Sequence, residues 1–413
     1  MNKRVVVTGM GTVNPLGNSV ETTWKNMLDG VSGVKPITLF DSSDLLVHIA
    51  CEVKDFDPQD YMSYKNVRRR DRFQHLAFAA MEEAVKQAGF DDGVFDGDRV
   101  AVIISSAIGG LDTLQDAATN MIEKGPRWVS PFAIPMFMAN GAAGAIAIEK
   151  EVRGPCFSVV SACASGQDAI GQASHLIRAG IVDAAIAGGS EATISRLGIS
   201  VFDRLGALSR RNEEYTSTPS PFDVDRDGLV MGEGAALLFL ESLDHAQARG
   251  AEILGELAGY GSSVDAFHIT APAVDGSGGA LAMKLALEMA ELNAEDVDYI
   301  SAHGTGTLLN DVSETRAIKS AMGEAAYAIA ISSTKSMTGH IMGATGALES
   351  IICVKAVQDN AVPPTINLKN PDPECDLDYV PNHAREIPVD VTLTNAFGFG
   401  GQNAVLAFKS FSG

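Results

Sequence analysis

Cys163 lies in the run CFSVVSACASGQDAIGQASHLIRAG, where small and β-branched residues give way to a helical pattern. Residues 156–162 read as a short buried strand, too brief for a helix. Beyond Ala164, Ser165 and Gly166, the residues Ile170, Ala173, Ile177 and Ala179 recur on one helix face. A cysteine where a strand hands over to a helix meets unpaired N–H groups and the positive end of the helix dipole, which favour a thiolate. Its small neighbours leave room for a substrate. A buried structural cysteine is the alternative, and this run alone leaves the two equally open.

Two histidines have similar settings. His303 follows the apolar run VDYISA and precedes GTGTLLND, while His340 follows TKSMTG and precedes an Ala- and Gly-rich helical pattern. Loops at strand ends commonly carry catalytic groups. His48, His75, His175, His245 and His383 lie in ordinary strand, helix or turn segments, and His268 in DAFHITAP is placed to line a cleft. One cysteine, two histidines and a loop lysine, Lys335, are the equipment for acyl transfer through a thioester. Competing chemistries lack their parts. Asn14 stands where a dinucleotide fingerprint needs a third glycine after Gly9 and Gly11, GTGTLLND has no Gly-Lys-Ser/Thr, and no GxSxG elbow occurs.

The elements that must position these groups are short β-branched runs alternating with helical patterns, which means an α/β protein with largely parallel or mixed sheets. A rough duplication divides them into residues 1–250 and 251–413. The first half opens with VVVTGMG, passes through the strand–Cys163–helix unit and returns in AAIAGGSEAT. The second opens with ILGELAGYGSS, passes through AIAISSTKSMTGHIMGATGALESIICVKAV and returns in TLTNAFGFGGQNAVLAF. With the halves related by a pseudo-dyad, Cys163 and His340 take equivalent places and meet at the centre. Helices so rich in Ala and Gly suit burial between two sheets.

Composition sets outer bounds. A chain of 413 residues with 46% hydrophobic and 20% charged residues is a well-buried globular protein. No apolar run reaches the roughly 18 residues a bilayer span needs. Gly9, Gly11, Asn14 and Pro15 break the opening apolar run, so it reads as a first strand and not a signal peptide. Cys51, Cys156, Cys163, Cys353 and Cys375 are scattered without a CxxC pair, which argues against a disulfide framework and a zinc site and for a cytoplasmic protein. A formal net charge of −21 repels nucleic acid and anionic membranes. YKNVRRRDR runs the other way, with Lys65, Arg68, Arg69, Arg70 and Arg72 against Asp71. It is either a solvated helix face or a docking patch for an acidic partner.

SACASG, PFDVDRDGLVMGEGA, AHGTGT, STKSMTGHIMGATGALE and NAFGFGGQN, in that order, resemble the β-ketoacyl-acyl-carrier-protein synthase family, and within it the elongating, long-chain type II branch. The similarity runs from about Arg4 to Phe408. The resemblance implies a thiolase-like fold, a duplicated α-β-α-β-α five-layer sandwich, as a homodimer. It implies a decarboxylative Claisen condensation of malonyl carrier protein with an acyl chain held on Cys163, lengthening fatty acids by two carbons. A discrete ketosynthase of a polyketide or specialised lipid pathway would share every catalytic residue, and a non-catalytic partner subunit would lack the nucleophile.

By the same resemblance, the N–H groups of Cys163 and Phe399 form an oxyanion hole. His303 and His340 donate to the malonyl thioester oxygen, and Lys335, held by Glu349, keeps them neutral. Thr305 and Thr307, with Thr270 opposite, bind the phosphopantetheine arm, which the carrier protein brings; no other cofactor and no metal is expected. Phe399 gates the site beside Gly400 and Gly401, and Ile108 and Phe202 line the acyl pocket. Lys65, Arg68, Arg69, Arg72 and Arg127 receive the acidic acyl carrier protein. Leu308, Gln402, Ala133, Phe137, Met138 and Gly206 depart from the family's usual residues around the rim and tunnel.

Overall fold

Ten strands carry the architecture of the computed structural model, which describes residues 3–90 and 93–411; residues 1–2, 91–92 and 412–413, and with them the start of the first expected half and the end of the second, lie outside the described residues. In chain order they are β1 (Val5–Val13), β2 (Val100–Ser105), β3 (Cys156–Phe157), β4 (Ala184–Glu191), β5 (Gly234–Ser242), β6 (Gly255–Val264), β7 (Tyr299–Ser301), β8 (Ala330–Ser332), β9 (Val391–Gly398) and β10 (Gln402–Lys409). Their lateral order is β3-β2-β4-β5-β1-β6-β10-β9-β7-β8. In the first half β1 pairs antiparallel with β5 and β5 with β4, while β4, β2 and β3 run parallel. In the second, β6 pairs antiparallel with β10 and β10 with β9, while β9, β7 and β8 run parallel. Each half therefore repeats one strand order. They join where Val5, Val6 and Val7 pair antiparallel with Leu257, Glu256 and Gly255.

Five helices fill the layers: α1 (Arg72–Ala88), α2 (Ser165–Arg178), α3 (Ser277–Ala290), α4 (Leu308–Met322) and α5 (Thr345–Asp359). Strand alternation decides what each face meets. On β5, Ala236, Leu238 and Leu240 turn towards the central core with α2 and α5, and Ala235, Leu237 and Phe239 turn outward under α1. On β10, Leu406 and Phe408 face the centre while Val405 and Ala407 pack under α3 and α4. The result is the five-layer sandwich of the thiolase-like fold.

The glycines that imitate a dinucleotide fingerprint serve this layering. A Cβ on Gly9 or Gly11 of β1 would lie 2.2 Å from Ala84 O or 2.0 Å from Ala80 O of α1. Gly259 and Gly261 of β6 repeat the device, at 2.1 Å from Ala286 O and 2.0 Å from Ala282 O of α3. Helix and strand backbones touch directly in both halves.

Three expectations change. The strand expected over 156–162 shrinks to Cys156–Phe157, and both residues are exposed, because β3 is the last strand of the sheet and pairs on one side only. Ala179 lies past the end of α2 and is exposed, while Ile170, Ala173 and Ile177 are buried as expected. The pseudo-dyad equates Cys163 with a residue other than His340. The turn Ala162–Ala164 leads into α2 and the turn Met342–Ala344 into α5, opening on residues with φ of +51° and +42°. Gly343 is thus the counterpart of Cys163, and His340 stands just upstream.

Gly11→Ala and Gly261→Ala should each destabilise the protein by about 1–3 kcal/mol, since a methyl would have to part a helix from its strand. Urea unfolding measures this, and an unchanged midpoint in both variants would refute the direct-contact account.

Candidate active site

The first turn projects Cys163 from the middle of the molecule because its neighbours leave it room. Ala162 carries the left-handed backbone with the smallest side chain other than glycine. Gly398 lets the β9 end approach, since a Cβ there would meet Ser161 O at 2.9 Å and Cys163 N at 3.0 Å. Phe399 follows, and its N–H draws the Cys163 thiol downward.

His340 Nε2 lies 3.0 Å from Cys163 Sγ, and its Nδ1 lies 3.0 Å from the Thr345 hydroxyl at the start of α5. The His303 ring stands edge-on to it at 5.4 Å between centroids. The His303 loop is fixed by buried Glu314, whose two oxygens accept from the N–H groups of His303 and Gly304 at 2.7 Å each. Behind the imidazoles, Lys335 Nζ donates to Glu349 Oε1 at 2.5 Å, with both side chains buried. The resemblance had paired these two residues, and they meet.

Burial, reinforced by the Lys335 ammonium, holds both His303 and His340 well below the usual imidazole range, so both are neutral at pH 7. Burial pushes Glu349 up to about 7 against the pull of Lys335. It also pushes the Cys163 thiol up to about 11, with the Lys335 charge and the Phe399 N–H opposing it. The thiolate expected from the helix start is thereby corrected: desolvation outweighs the stabilising groups, and the resting residue is a thiol. One donor atom from each of Cys163, His303 and His340 falls within a 4.8 Å cluster, a set soft enough for a metal ion. The ammonium beside them opposes a dication, and the Sγ to Nε2 spacing suits a hydrogen bond.

These groups open into a cavity of about 470 Å³ lined by Ile108, Phe202, Thr270, Thr305, Thr307 and Phe399 as well as Cys163, His303 and His340. Thr305 and Thr307 hydroxyls lie 2.9 Å apart. Phe399 stacks beside Phe202 at 6.4 Å, and the turn Phe399–Gly401 has φ of +80° at Gly400 and +69° at Gly401. Gly206 and Leu308 also line the cavity, at its rim, whereas Ala133, Phe137 and Met138 do not. Gln402 turns its amide towards Phe399 O at 3.4 Å. His268 stays outside, exposed, with its Nδ1 accepting from Thr270 and Ala271.

Sequence reasoning left some contributors unassigned. Phe397 packs against the His303 ring at 5.9 Å, and Asn403 donates to Asp265 at 2.7 Å. Both stand inside the quoted motif NAFGFGGQN. Asp265 N donates to Gly401 O at 2.8 Å, tying the Phe399 turn to the loop that carries Thr270, and only the folded chain reveals that link.

The basic run divides. Lys65, Arg68, Arg69 and Arg127 are exposed, and the Arg69 guanidinium lies 4.5 Å over the Phe132 ring. Arg72 is not part of that surface. As the first residue of α1 it turns inward and grips buried Glu233 bidentately at 2.5 and 2.6 Å, so its charge is already spoken for.

Residues 2–246 match the family model described as β-ketoacyl synthase, N-terminal domain, and residues 254–369 match β-ketoacyl synthase, C-terminal domain. The chain is 49% identical over 409 residues to 3-oxoacyl-[acyl-carrier-protein] synthase 2 of Synechocystis sp., covering 99% of this chain and 98% of that one. It is 48% identical over 410 residues to the protein of the same name from Staphylococcus aureus, covering 99% of each. Among solved structures, a type II polyketide acyl carrier protein in complex with its ketosynthase, bound to the hexaketide, superposes with a TM-score of 0.92 at 35% identity over 100% of both chains.

Replacing Lys335 by Met removes the cation that opposes the burial of the thiol, so the Cys163 pKa rises and the thiolate fraction falls. Alkylation of Cys163 by iodoacetamide at pH 8 should slow by about tenfold, equivalent to one pKa unit. Peptide mass spectrometry follows it, and an equal or faster rate would disprove the electrostatic role.

Proposed function

The chain belongs to the β-ketoacyl synthase family, and on that footing we propose that it elongates fatty acids by decarboxylative Claisen condensation of malonyl carrier protein with an acyl chain held on Cys163. It is an acyltransferase of the 3-oxoacyl-acyl-carrier-protein synthase class. The observation that carries the assignment of roles is the meeting of Cys163 with neutral His340 at 3.0 Å, with His303 beside them.

In the first stage Sγ attacks the acyl thioester. His340 in its Nδ1–H tautomer, donating to Thr345, offers Nε2 as acceptor for the thiol proton. Charge developing on the carbonyl oxygen falls to the Cys163 and Phe399 N–H groups; as the carrier's C–S bond breaks, the proton held at Nε2 passes to the departing sulfur, which leaves as a thiol with His340 neutral again. In the second stage the malonyl thioester oxygen sits between the two imidazoles. Between the stages the single His340 proton exchanges through solvent from Nδ1 to Nε2, so that the Thr345 hydroxyl now donates to Nδ1, His340 presents Nε2–H, and His303 presents its own N–H. Carbon dioxide departs, and the enolate that remains is stabilised by two neutral donors. Imidazolium at either place would protonate the carbanion, which is what burial and Lys335 guard against. The carbanion attacks the acyl thioester, the oxyanion hole serves again, and the Cys163 sulfur leaves as a thiolate that takes a proton from solvent to restore the resting thiol.

Thr305, Thr307 and Thr270 at the cavity wall suit the phosphopantetheine arm, which arrives with the carrier and is the only prosthetic group the scheme requires. Lys65, Arg68, Arg69 and Arg127 suit an acidic carrier protein on a chain of net charge −21. A solved relative holds an acyl carrier protein against its ketosynthase. A homodimer through the open edge of β3 is part of the proposal, supported by exposed Phe157 and Val160 along it. The five free cysteines fit a reducing, cytoplasmic setting. The division into residues 1–250 and 251–413 is part of the proposal, with support from two family models that match residues 2–246 and 254–369.

A polyketide ketosynthase remains the second reading, favoured by the hexaketide-bound structural relative. A thiolase is disfavoured, since Cys375 is absent from the cavity wall and no other residue there supplies a second thiol.

Incubation with acyl carrier protein should add one acyl mass to the peptide bearing Cys163, and Cys163→Ala should abolish condensation. A label on another cysteine would sink the nucleophile assignment. Reversing Lys65, Arg68 and Arg69 to Glu should raise the KM for acyl carrier protein at least about tenfold more than that for free acyl-pantetheine. Equal KM values for both substrate forms would reduce the basic run to a solvated face.

A further inference from the structure

Glu191 ends β4 with its side chain fully buried, and its donors come from two turns of the cavity wall. Oε1 accepts from the Ser106 hydroxyl at 2.6 Å and the Ile108 N–H at 3.4 Å. Oε2 accepts from the Ala107 N–H at 2.8 Å and the Gly343 N–H at 3.1 Å. Ser106 Oγ accepts in turn from the Gly109 N–H at 2.7 Å. Burial pushes this carboxyl up to about 7 in spite of the four donors, a measure of how far it is removed from water.

One of the two turns carries Ile108, half-exposed into the cavity, and its far end is held where Gly110 N–H donates to Phe137 O at 3.1 Å. The other is the second elbow, where Gly343 occupies the nucleophile's equivalent place. Bearing no reactive side chain, Gly343 leaves its N–H for the acid. The turns are also in direct contact: a Cβ on Gly343 would lie 2.6 Å from Ala107 N and 2.9 Å from Glu191 Oε2. The retired elbow has become a buttress for the cavity wall.

We propose that Glu191 is a specificity-setting positioning residue, which ties the Ile108 wall to the Met342–Ala344 turn behind His340 and so fixes the length of acyl chain the cavity accepts. This rests on the reading of the cavity as the acyl pocket. A long chain must displace Ile108, and the turn bearing Ile108 yields only as far as Glu191 releases it. Glutamine at this position keeps the volume but points an amide N–H₂ at N–H groups, loosening the clamp.

In Glu191→Gln the ratio of kcat/KM for palmitoyl over octanoyl carrier protein should rise by about tenfold, the effect of losing one charge-assisted hydrogen bond. A merely structural role lowers both rates together and leaves the ratio unchanged. An unchanged ratio, with Ile108→Phe still shifting preference to shorter chains, overturns the role of Glu191 alone. An unchanged ratio in both variants overturns the acyl-pocket reading with it. Ser106→Ala, which removes the shortest of the four bonds and retains the carboxylate, is assayed in parallel. Should Glu191→Gln fail to fold, an unchanged ratio in Ser106→Ala refutes the proposal by itself.

Discussion

Lys335 and Glu349 form an ion pair with almost no contact with water. Withdrawing two such charges from solvent costs several kcal/mol per ion, and their mutual attraction repays it only when the geometry is good. Stability alone is a poor reason to keep such a pair. Its reach explains it better: the same ammonium depresses both imidazoles and draws the Cys163 thiol downward. Burial sets the proton inventory of the cluster, and this one buried cation adjusts all three of its members. The small side chains of α2 and α5 exist to let these groups crowd together around it.

The duplication distributes labour unevenly. Both halves build the same strand order, press a helix on a pair of strand glycines, and launch a central helix from a turn that opens at positive φ. Only one turn carries a nucleophile. The other carries Gly343 and donates its N–H to an acid. The catalytic cluster is thus asymmetric in chemistry although its scaffold is nearly symmetric.

Much of this was readable beforehand, for identifiable reasons. Cys163 and His303 each follow a short apolar run and precede small residues, and His340 precedes an Ala- and Gly-rich helical pattern, which together mark loops at strand ends. The pairing of Lys335 with Glu349 was available only through the resemblance, since nothing in the spacing of two residues fourteen apart fixes a contact. Three features were not legible. The strand after Cys156 is cut short by its place at the sheet edge, which depends on strands far away in sequence. Arg72 turns inward because Glu233 waits beneath α1, a fact of packing that no charge run discloses. The protonation of Cys163 depends on how much water the fold removes, and a helix start visible in sequence says nothing of that.

The nucleophile comes from the first half, whereas His303, Lys335, His340 and Phe399 all come from the second, with Phe399 close to the C-terminal end. A chain emerging from the ribosome therefore exposes its cysteine long before it possesses any of the groups that make the cysteine useful. Domains tend to fold as they are synthesised, first half first. Competence requires β9 and β10 in place beyond β6, because the turn between them brings Phe399 to the cavity. A truncated or stalled product would be chemically silent, which spares the cell a half-built acyl acceptor.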